Sequence, residues 1–495
     1  MPREVELKLE LASGTLDDLL AHSVLKKAKP LADQSGILRA TYFDTPELAL
    51  RQRQLSLRIR EKDGHLIQTL KASGEESGPA LDRKEWECPV KEGLDLDMLS
   101  DTPLADLLAD AALRESLLPL FMIETRRRVF SLERDGALIE LSLDQAAAIA
   151  GQQHLPFTEV ELELKRGDTS ALFSIALDLQ DGMPLRLSTL TKSERGYRLL
   201  GADTATSVKA KEIAIQPHMS SEKAFQLAAR ACLFQVIQNE EILRRTRAPE
   251  ALHQMRVGTR RLKAAVALFE PLVDDRESKA VRKRLRWIGR KLGHVRDMDV
   301  YVHTLRETGP DLDREALNEA ERERAKAYEA LLKTLEKRRF MRSVLWLAAW
   351  IEAGQWHFRR KQRVQEARAI PATDRASTEL QRRWKRIRKG ARRLPDLDAE
   401  RRHKLRIRIK ELRYGLEFFA ATFPAKQAER RRQSMLSNLQ DQQDELGEMN
   451  DIIMAEKLFP AHGAEKSQAT RMKRLETRAE ASARKLVKAK PFWNV

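Results

Sequence analysis

The chain has 495 residues, more than one hydrophobic core usually spans, so we expect two or three domains. Charge is divided unevenly, because residues 218–495 contain 63 Lys and Arg against 38 Asp and Glu, whereas residues 1–217 contain 28 against 36. A half this basic indicates a polyanionic partner. The two cysteines, Cys88 and Cys232, are too few for a disulfide framework and favour a reducing compartment.

The sequence shows no segment typical of secretion or membrane insertion. Its first residues, Met-Pro-Arg-Glu-Val-Glu, lack the apolar region of a signal peptide. The longest apolar run, residues 344–351, is far shorter than the roughly 20 residues that span a bilayer. We therefore expect a cytoplasmic protein without membrane insertion.

Charged and apolar residues alternate in several short segments of the first 200 residues, with the period of two that is typical of β-strands. These segments are residues 4–10, 55–60, 83–87, 138–144 and 159–163. With the apolar residues inward, the strands would form an ordinary sandwich. With the charged residues inward, they would form a barrel with a charged, solvated lumen. The alternation alone is compatible with both arrangements.

The charged residues of these strands and of the segments between them include both acids and bases. A hard divalent cation such as Mg²⁺ binds carboxylate oxygens together with substrate phosphates, and a phosphate chain binds Arg and Lys side chains. A site for a metal ion and a polyphosphate requires both sets. The acids are Glu4, Glu6, Asp144, Glu159 and Glu161, and the bases are Lys8, Arg58, Arg60, Lys71, Arg126 and Lys192.

The start of the chain carries an ExExK motif, formed by Glu4, Glu6 and Lys8. This motif resembles the signature of the CYTH family, the triphosphate tunnel metalloenzymes, and later segments resemble that family in the same order over about 190 residues. The later segments are Tyr42-Phe43-Asp44-Thr45, Leu57-Arg58-Ile59-Arg60, Leu70-Lys71, Arg83-x-Glu85-x-Glu87, Asp144, Glu159-x-Glu161 and Lys192-Ser193-Glu194-Arg195-Gly196.

The resemblance implies an eight-stranded antiparallel tunnel that binds Mg²⁺ or Mn²⁺ and hydrolyses a triphosphate by attack of water on a terminal phosphorus. Similarity to bacterial proteins with the same two-part layout favours inorganic triphosphate, which is cleaved to diphosphate and phosphate. The implied metal ligands are Glu4, Glu6, Asp144, Glu159 and Glu161. The implied phosphate-binding residues are Lys8, Arg58, Arg60, Lys71, Arg126, Lys192 and Arg195, with Arg127 as the alternative to Arg126. Catalytic roles are implied for Glu4, Glu6, Lys8, Lys71 and Lys192. The base that activates water is either a carboxylate of the metal cluster or a lysine with a lowered pKa.

The second half of the chain has the composition and periodicity of an all-helical domain, because it is rich in Ala, Leu, Glu, Arg and Lys. We predict a tunnel domain over residues 1–202, a linker over 203–217 and a helical domain over 218–495. The helical domain contains an internal duplication, with copies at about 218–370 and 371–495.

A strip of basic residues occurs twice in this half, at positions i, i+3, i+7 and i+10 of a helix. At 3.6 residues per turn these positions span about 80° of the helix circumference, so each set forms one positive face. The two basic strips, 150 residues apart, are His253, Arg256, Arg260 and Lys263, and His403, Arg406, Lys410 and Arg413. Related motifs that begin Leu292-Gly293 and Leu446-Gly447, and contain Asp297 and Asp451, follow about 40 residues after each strip.

These features resemble the CHAD family, whose members form two four-helix bundles and bind inorganic polyphosphate between basic helices. The expected fold class is therefore α+β and multidomain, with an antiparallel tunnel followed by duplicated helical bundles. Asp297 and Asp451 would orient the bases of the strips. The implied polyphosphate-binding residues are His253, Arg256, Arg260, Arg261, Lys263, His403, Arg406, Lys410, Arg413 and Tyr414.

The sequence is also compatible with other functions. The tunnel could be inactive, in a protein that only binds polyphosphate or associates with polyphosphate granules, or it could hydrolyse an organic triphosphate. Nucleic acid ranks last as a partner, because base stacking requires aromatic residues among the cations. Beside the basic strips, Tyr414 is the one aromatic residue that could serve.

Overall fold

The computed structural model describes residues 3–73, 80–201, 205–306, 314–458 and 465–493, with side chains except at 3, 4, 73, 80–83, 451, 454–458 and 465–469. The ten strands in the described part are β1 (Arg3–Leu11), β2 (Lys29–Pro30), β3 (Gly36–Asp44), β4 (Leu55–Lys62), β5 (His65–Ser73), β6 (Ala80–Val90), β7 (Leu118–Arg134), β8 (Ala137–Ala150), β9 (Gln153–Arg166) and β10 (Leu185–Ser188).

Helices follow and interrupt the strands, and no helix in the described ranges is both long and apolar enough to cross a membrane. The described α-helices are α1 (Leu16–Leu20), α2 (Ser23–Lys26), α3 (Ala49–Gln52), α4 (Ala105–Leu108), α5 (Ala111–Ser116), α6 (Ser170–Gly182), α7 (Lys192–Leu199), α8 (Ser221–Thr246), α9 (Pro249–Leu268), α10 (Glu270–Val273), α11 (Ser278–Arg306), α12 (Arg314–Leu335), α13 (Arg338–Ala353), α14 (Gln362–Ala369), α15 (Ala372–Arg392), α16 (Ala399–Phe418), α17 (Lys426–Leu458) and α18 (Glu465–Lys488).

Eight of the described strands close into an antiparallel barrel. The strands pair in the order β1-β6-β5-β4-β3-β7-β8-β9, and β9 pairs back to β1. The two short strands lie outside this ring, where β10 pairs with the end of β1 and β2 pairs with β7. The expected antiparallel tunnel in an α+β chain is thus confirmed.

The charged faces of the strands point into the barrel, and the apolar faces point outward beneath covering segments. On β1, Glu6 and Lys8 line the interior cavity, whereas Leu7 and Leu9 on the opposite face are fully buried. Helix α6 packs against β1 and β9 and provides part of this apolar cover. The barrel with a charged lumen therefore forms, because helices bury the apolar faces that a second sheet would bury in a sandwich.

Two Asp-Gly hairpin turns connect neighbouring barrel strands. Asp63 and Gly64, between β4 and β5, have φ values of 50° and 80°, and Asp135 and Gly136, between β7 and β8, have 50° and 78°. Paired left-handed conformations are typical of the two-residue turn whose twist matches antiparallel strands, and Asp-Gly adopts them readily. These turns set the strand register and hence which residues face the lumen.

Helix α7 packs against β7, β8 and β9 through a close glycine contact. A Cβ on Gly196 would lie 2.0 Å from the ring of Phe121, so a side chain at this position would push the helix away. The Tyr197 hydroxyl donates a hydrogen bond to the buried Asp44 carboxylate over 2.7 Å. These contacts fix the helix that carries Lys192 at its first turn.

The helices after residue 220 recur in the same order. Helices α9 and α16 both have 20 residues, and their bounds differ by 150 in number. In the same way α8, α11 and α12 correspond in order to α15, α17 and α18. Within the second set, α15 packs on α16 and α18, and α17 packs on the same two helices, as in a four-helix bundle. The all-helical character of the C-terminal part is confirmed.

The chain divides into two compact units, each built from several segments of the sequence. One unit contains Met1–Val208, Leu233–Met255 and Tyr328–Gly354, and the other contains Lys209–Cys232, Arg256–Ala327 and Gln355–Val495. Parts of α8, α9 and α12 and all of α13 thus belong to the unit that holds the barrel. The boundaries of 1–202, 203–217 and 218–495 stay a prediction.

Candidate active site

The barrel encloses a cavity of about 1260 Å³ with charged residues from most of its strands on the wall. Both signs of charge are present, so the cavity offers ligands for a metal ion and for phosphate groups in one space. The cations on its lining are Lys8, Arg51, Arg58, Arg60, Lys62, Lys71, Arg127, Lys165 and Lys192. The acids are Glu6, Asp33, Asp63, Glu85, Glu87, Glu140, Glu161, Glu163 and Glu194.

Three carboxylates meet on the β8–β9 side of the barrel. Asp144 and Glu159 are cross-strand partners, and Glu161 follows Glu159 on the same face of β9. Carboxylate oxygens of the three residues lie within 4.8 Å of one another, and Glu159 Oε2 is buried without a hydrogen-bond partner among the described residues. Hard oxygen donors at this spacing fit Mg²⁺ or Mn²⁺, so these residues, the carboxylate cluster, could hold the expected metal ion.

Two cations bind the carboxylate cluster directly. Lys192 Nζ lies 2.8 Å from Asp144 Oδ2 and 2.8 Å from Glu161 Oε1 and also contacts Glu159. Arg127 Nη2 lies 2.5 Å from both Asp144 Oδ2 and Glu161 Oε2. Burial alone would raise the pKa of Glu161, but Lys192, Lys8 and Arg127 outweigh it and hold that pKa well below its usual range. Glu161 is therefore anionic at neutral pH.

Strand β1 brings a third cation to the cluster. Lys8 pairs with Glu161 and lies 3.3 Å from Glu6. Burial would lower the pKa of Lys8, but attraction by Glu161 and Glu6 outweighs it, and the pKa is raised. The pKa of Lys192 is also raised, because its three carboxylate partners outweigh its burial. Neither lysine therefore fits the alternative of a base with a lowered pKa. The side chain of Glu4, a predicted metal ligand, is outside the described residues.

Strands β4 and β5 supply cations to another part of the wall, and β6 supplies their acidic partners. Lys71 Nζ lies 3.1 Å from Glu85 Oε1, and Arg58 Nη2 lies 3.8 Å from the same oxygen. Arg60 Nη2 lies 3.3 Å from Glu87 Oε1. The pKa of Arg60 is lowered, first by burial and then by repulsion from Arg58. Crowded cations on the wall of a cavity are suited to bind the oxygens of a phosphate chain.

The basic strips lie on α9 and α16, the equivalent helices of the duplication. Arg256 on α9 lies 3.6 Å from Asp297 on α11, and its pKa is lowered to about 10. Burial is the main cause, and repulsion by Arg260, Arg296 and Arg406 adds to it. Cations from α9, α11 and α16 are therefore close enough to repel one another, which an anionic ligand would relieve.

The glycine of each Leu-Gly motif lies directly beside an arginine of a basic strip. A Cβ on Gly293 would lie 2.7 Å from Arg256 Nη1, and a Cβ on Gly447 would lie 2.9 Å from Arg406 Nη2. In both copies of the duplication the glycine thus leaves space for the equivalent arginine of the basic strip. In the second copy, His403 Nδ1 also lies 2.9 Å from Asn450 Oδ1.

The family assignment follows from two matches that together extend over most of the chain. Residues 2–197 match the CYTH domain, and residues 227–460 match the CHAD domain. The chain is therefore a CYTH domain followed by a CHAD domain. CYTH is a metal-dependent family, and its expected substrates are triphosphates.

Similar proteins are known for each part. An inorganic triphosphatase of Haemophilus influenzae is 32% identical over 203 residues, which are 41% of this chain and 56% of that protein. The chain thus spans little more than half the length of this relative. The crystal structure of a CHAD domain from Ricinus communis is 25% identical, covers 56% of this chain and 96% of its own, and has a TM-score of 0.46. A Hippeastrum protein described as having a dominant triphosphatase activity is 19% identical, with 39% and 95% covered and a TM-score of 0.30.

Two predicted phosphate-binding residues of the CYTH domain do not line the cavity. Arg126 is exposed on the outer face of β7, and its neighbour Arg127 is the residue that reaches the lumen. Arg195 is not among the described residues on the cavity wall, because its buried guanidinium pairs with Glu10 at 2.7 Å and stacks on Phe157 at 4.2 Å. These placements do not favour phosphate contacts by Arg126 or Arg195, and the predicted roles of both stay predictions.

Two predicted polyphosphate-binding residues of the CHAD domain are packed in the interior. Arg261 is 3% exposed, lies 3.8 Å from Glu417 and stacks on Phe418. Tyr414 is 5% exposed. This burial does not favour contact with a chain of phosphates, which requires accessible side chains, and both roles stay predictions. Arg256, Arg260, Lys263, His403, Arg406, Lys410 and Arg413 are partly or fully exposed on α9 and α16, and so is His253 on α9. The side chain of Asp451 is outside the described residues.

Several residues of the lumen were not among the predicted site residues, although Glu85 and Glu87 lie in a segment that resembles the CYTH family. Arg127 binds the carboxylate cluster, and Glu85 and Glu87 pair with the cations of β4 and β5. Glu163 also lines the cavity. A signal for Glu163 was available, since a period of two places it on the same face of β9 as Glu159 and Glu161.

Proposed function

We propose that the CYTH domain hydrolyses inorganic triphosphate to diphosphate and phosphate with the help of Mg²⁺ or Mn²⁺. One observation carries the proposal: three clustered carboxylates, of which Glu161 lines the cavity, lie beside a cavity whose described wall also carries nine lysines and arginines. Such a site can bind a metal ion and a highly charged phosphate chain together.

Different residues of the lumen would have different roles in the reaction. Arg58, Arg60 and Lys71 would bind the phosphate oxygens, and Arg127, Lys8 and Lys192 would neutralise charge that develops on the reacting group. A metal ion held by Glu6, Asp144, Glu159 and Glu161 would supply Lewis-acid activation of the phosphate and of water. Water oxygen then bonds to the terminal phosphorus, the bond from phosphorus to the bridging oxygen breaks, and diphosphate leaves.

A carboxylate is the better candidate for the base that takes the proton from water. Lys8 and Lys192 have raised pKa values and stay protonated. We therefore assign this role to a carboxylate of the cluster. Glu159 has a buried oxygen without a hydrogen-bond partner among the described residues, and this oxygen would be open to the metal ion.

Inorganic triphosphate is supported as the substrate by the charged lining and by the Haemophilus influenzae relative named inorganic triphosphatase. The cavity, at about 1260 Å³, would also admit an organic triphosphate. Values of kcat/KM for inorganic triphosphate, ATP and thiamine triphosphate, measured with Mg²⁺, test this choice. We expect kcat/KM for inorganic triphosphate to exceed the values for ATP and thiamine triphosphate at least tenfold. A higher value for either organic substrate would reassign the enzyme.

We also propose that the CHAD domain binds inorganic polyphosphate through the two basic strips, which could hold the protein at polyphosphate granules in the cytoplasm. The mutual repulsion of Arg256 and Arg406 favours this function, since a polyanion would relieve it. Competition between long-chain polyphosphate and single-stranded RNA at fixed salt tests it. Preferential binding of RNA would make nucleic acid the partner instead.

A further inference from the structure

A row of charged residues runs across adjacent strands from β10 to the carboxylate cluster. Arg186 on β10 is the direct cross-strand partner of Glu10 on β1, and Glu10 is the partner of Glu159 on β9. Glu159 is in turn the partner of Asp144 on β8. Direct partners on one face of a sheet have Cβ atoms about 5 Å apart, so each residue of this row can exchange contacts with the next.

Arg195 of α7 lies between Glu10 and Glu159. Its Nη2 atom is 2.7 Å from Glu10 Oε2 but 3.7 Å from Glu159 Oε2. The Arg195 side chain is only 6% exposed, and its guanidinium stacks on the ring of Phe157. Glu10 thus holds the guanidinium outside hydrogen-bond distance of Glu159, whose Oε2 atom accepts no hydrogen bond from the described residues.

Glu240 of α8 contacts the other end of the row. It is 4% exposed, pairs with Arg186 and accepts a hydrogen bond from Arg244 Nε over 2.9 Å. Glu240 lies in the stretch that matches the CHAD domain, and it belongs to the same compact unit as the barrel. It therefore occupies Arg186 and Arg244, two cations that also attract Glu10 and could draw it away from Arg195.

We propose that Glu10, and Glu240 through Arg186, are positioning residues that keep Glu159 available to the metal ion. Without Glu10, the buried Arg195 guanidinium would pair with Glu159 and occupy its open oxygen. Without Glu240, Arg186 would pair with Glu10, and Arg195 would be released toward Glu159. A residue of the CHAD-matched stretch thus acts on the CYTH site. The inference rests on the proposed metal-dependent function.

Binding of Mn²⁺ alone to the full chain, followed by electron paramagnetic resonance without substrate, tests this pairing. We expect Glu10→Gln to raise the Kd for Mn²⁺ about tenfold, since residues that orient metal ligands typically change affinity by this order. For Glu240→Gln we expect a smaller rise, about threefold. Adding Arg186→Gln and Arg244→Gln to Glu240→Gln should restore affinity close to that of the wild type, because both cations released by the loss of Glu240 are then gone.

Glu241→Gln is the matched control. Glu241 is the next residue of α8 and pairs with Arg198 of α7 through two contacts of 2.6 Å, so its loss breaks a comparable ion pair that includes no residue of the row. We expect its Mn²⁺ affinity to be unchanged. Thermal unfolding identifies any variant that fails to fold. If a Glu240 variant fails, the comparison of Glu10→Gln with the wild type decides the question.

The outcomes separate this inference from the proposed function. A wild-type protein that binds Mn²⁺ but hydrolyses no triphosphate would refute the proposed function and leave the positioning test valid. Unchanged affinity in a folded Glu10→Gln variant would overturn the inference. It would also be overturned by a wild type that binds no Mn²⁺, or by a Glu241→Gln variant that weakens binding as much as Glu240→Gln.

Discussion

Two adjacent arginines on β7 have opposite environments. Arg127 binds Asp144 and Glu161 in the lumen, whereas Arg126 is exposed on the outer face of the same strand. Sequence similarity favoured Arg126, because charge alone does not tell which face of a strand is inside. The alternation of β7 does tell it, since Ile123, Thr125 and Arg127 share one face and line the cavity.

Substitution of these two arginines tests the placement. We expect Arg127→Ala to lower kcat/KM for triphosphate hydrolysis about 100-fold, because a cation aimed at the reacting phosphate is lost. Arg126→Ala removes the same charge from the outer face and should change kcat/KM less than twofold. Steady-state assays of both proteins, with unfolding midpoints as a check, give the comparison. Equal losses in the two variants would place the active site elsewhere.

At the scale of helices, the glycines of the Leu-Gly motifs have the same structural role in both copies of the duplication. Gly293 on α11 and Gly447 on α17 leave space for Arg256 and Arg406. The sequence repeat indicated that the motif has a role, but it did not predict the contact with the arginine, since that contact joins residues about 40 positions apart. The burial of Arg261 was likewise not predictable, because it depends on Glu417 and Phe418 of α16.

Substitution of either glycine by alanine should weaken polyphosphate binding without lowering the stability of the helix. We expect Gly293→Ala and Gly447→Ala each to weaken polyphosphate binding about fivefold, since the displaced arginine would lose part of a charge-assisted hydrogen bond to the phosphate chain. Helix stability should not fall, because alanine favours the helix by about 1 kcal/mol over glycine. Binding isotherms and thermal unfolding measure the two effects.

Gly289 provides the control on the same helix. A Cβ at Gly289 would meet no atom within 4 Å, so Gly289→Ala should stabilise α11 and leave polyphosphate affinity unchanged. If Gly289→Ala weakened binding as much as Gly293→Ala, the space beside Arg256 would not be the reason for the glycine.

At the scale of the whole molecule, the sequence predicted the order of a strand-rich acidic half and a helical basic half. It could not choose between a sandwich and a barrel, since that choice depends on what covers the apolar faces. It also did not predict that α13 packs on α6 and β10, where Arg342 pairs with Asp181. Such contacts join segments about 160 residues apart and have no periodic signal.

The charged lumen should make the stability of the metal-free protein depend on pH. Burial would raise the pKa of Asp144 and Glu161, but their cationic partners outweigh it and lower both. The unfolded state therefore binds more protons below about pH 4.5, and the stabilisation, complete above that pH, is lost as pH falls through the folded pKa values.

Urea unfolding in the presence of a chelator, at several pH values between 7 and 3, measures this dependence. We expect the free energy of unfolding to fall more steeply below about pH 4.5 in the wild type than in Glu161→Gln, which lacks one of the titrating groups. Parallel curves for the two proteins would show that Glu161 is not held in its charged form by Lys192, Lys8 and Arg127.

Phosphate release from inorganic triphosphate, with Mg²⁺ and with a chelator, tests the central claim most directly when the wild type is compared with Glu161→Gln and Arg126→Ala. Hydrolysis should require the metal, fall about 100-fold or more in Glu161→Gln and persist in Arg126→Ala. Metal-independent hydrolysis, or full activity in Glu161→Gln, would contradict a metal-dependent triphosphatase in this tunnel.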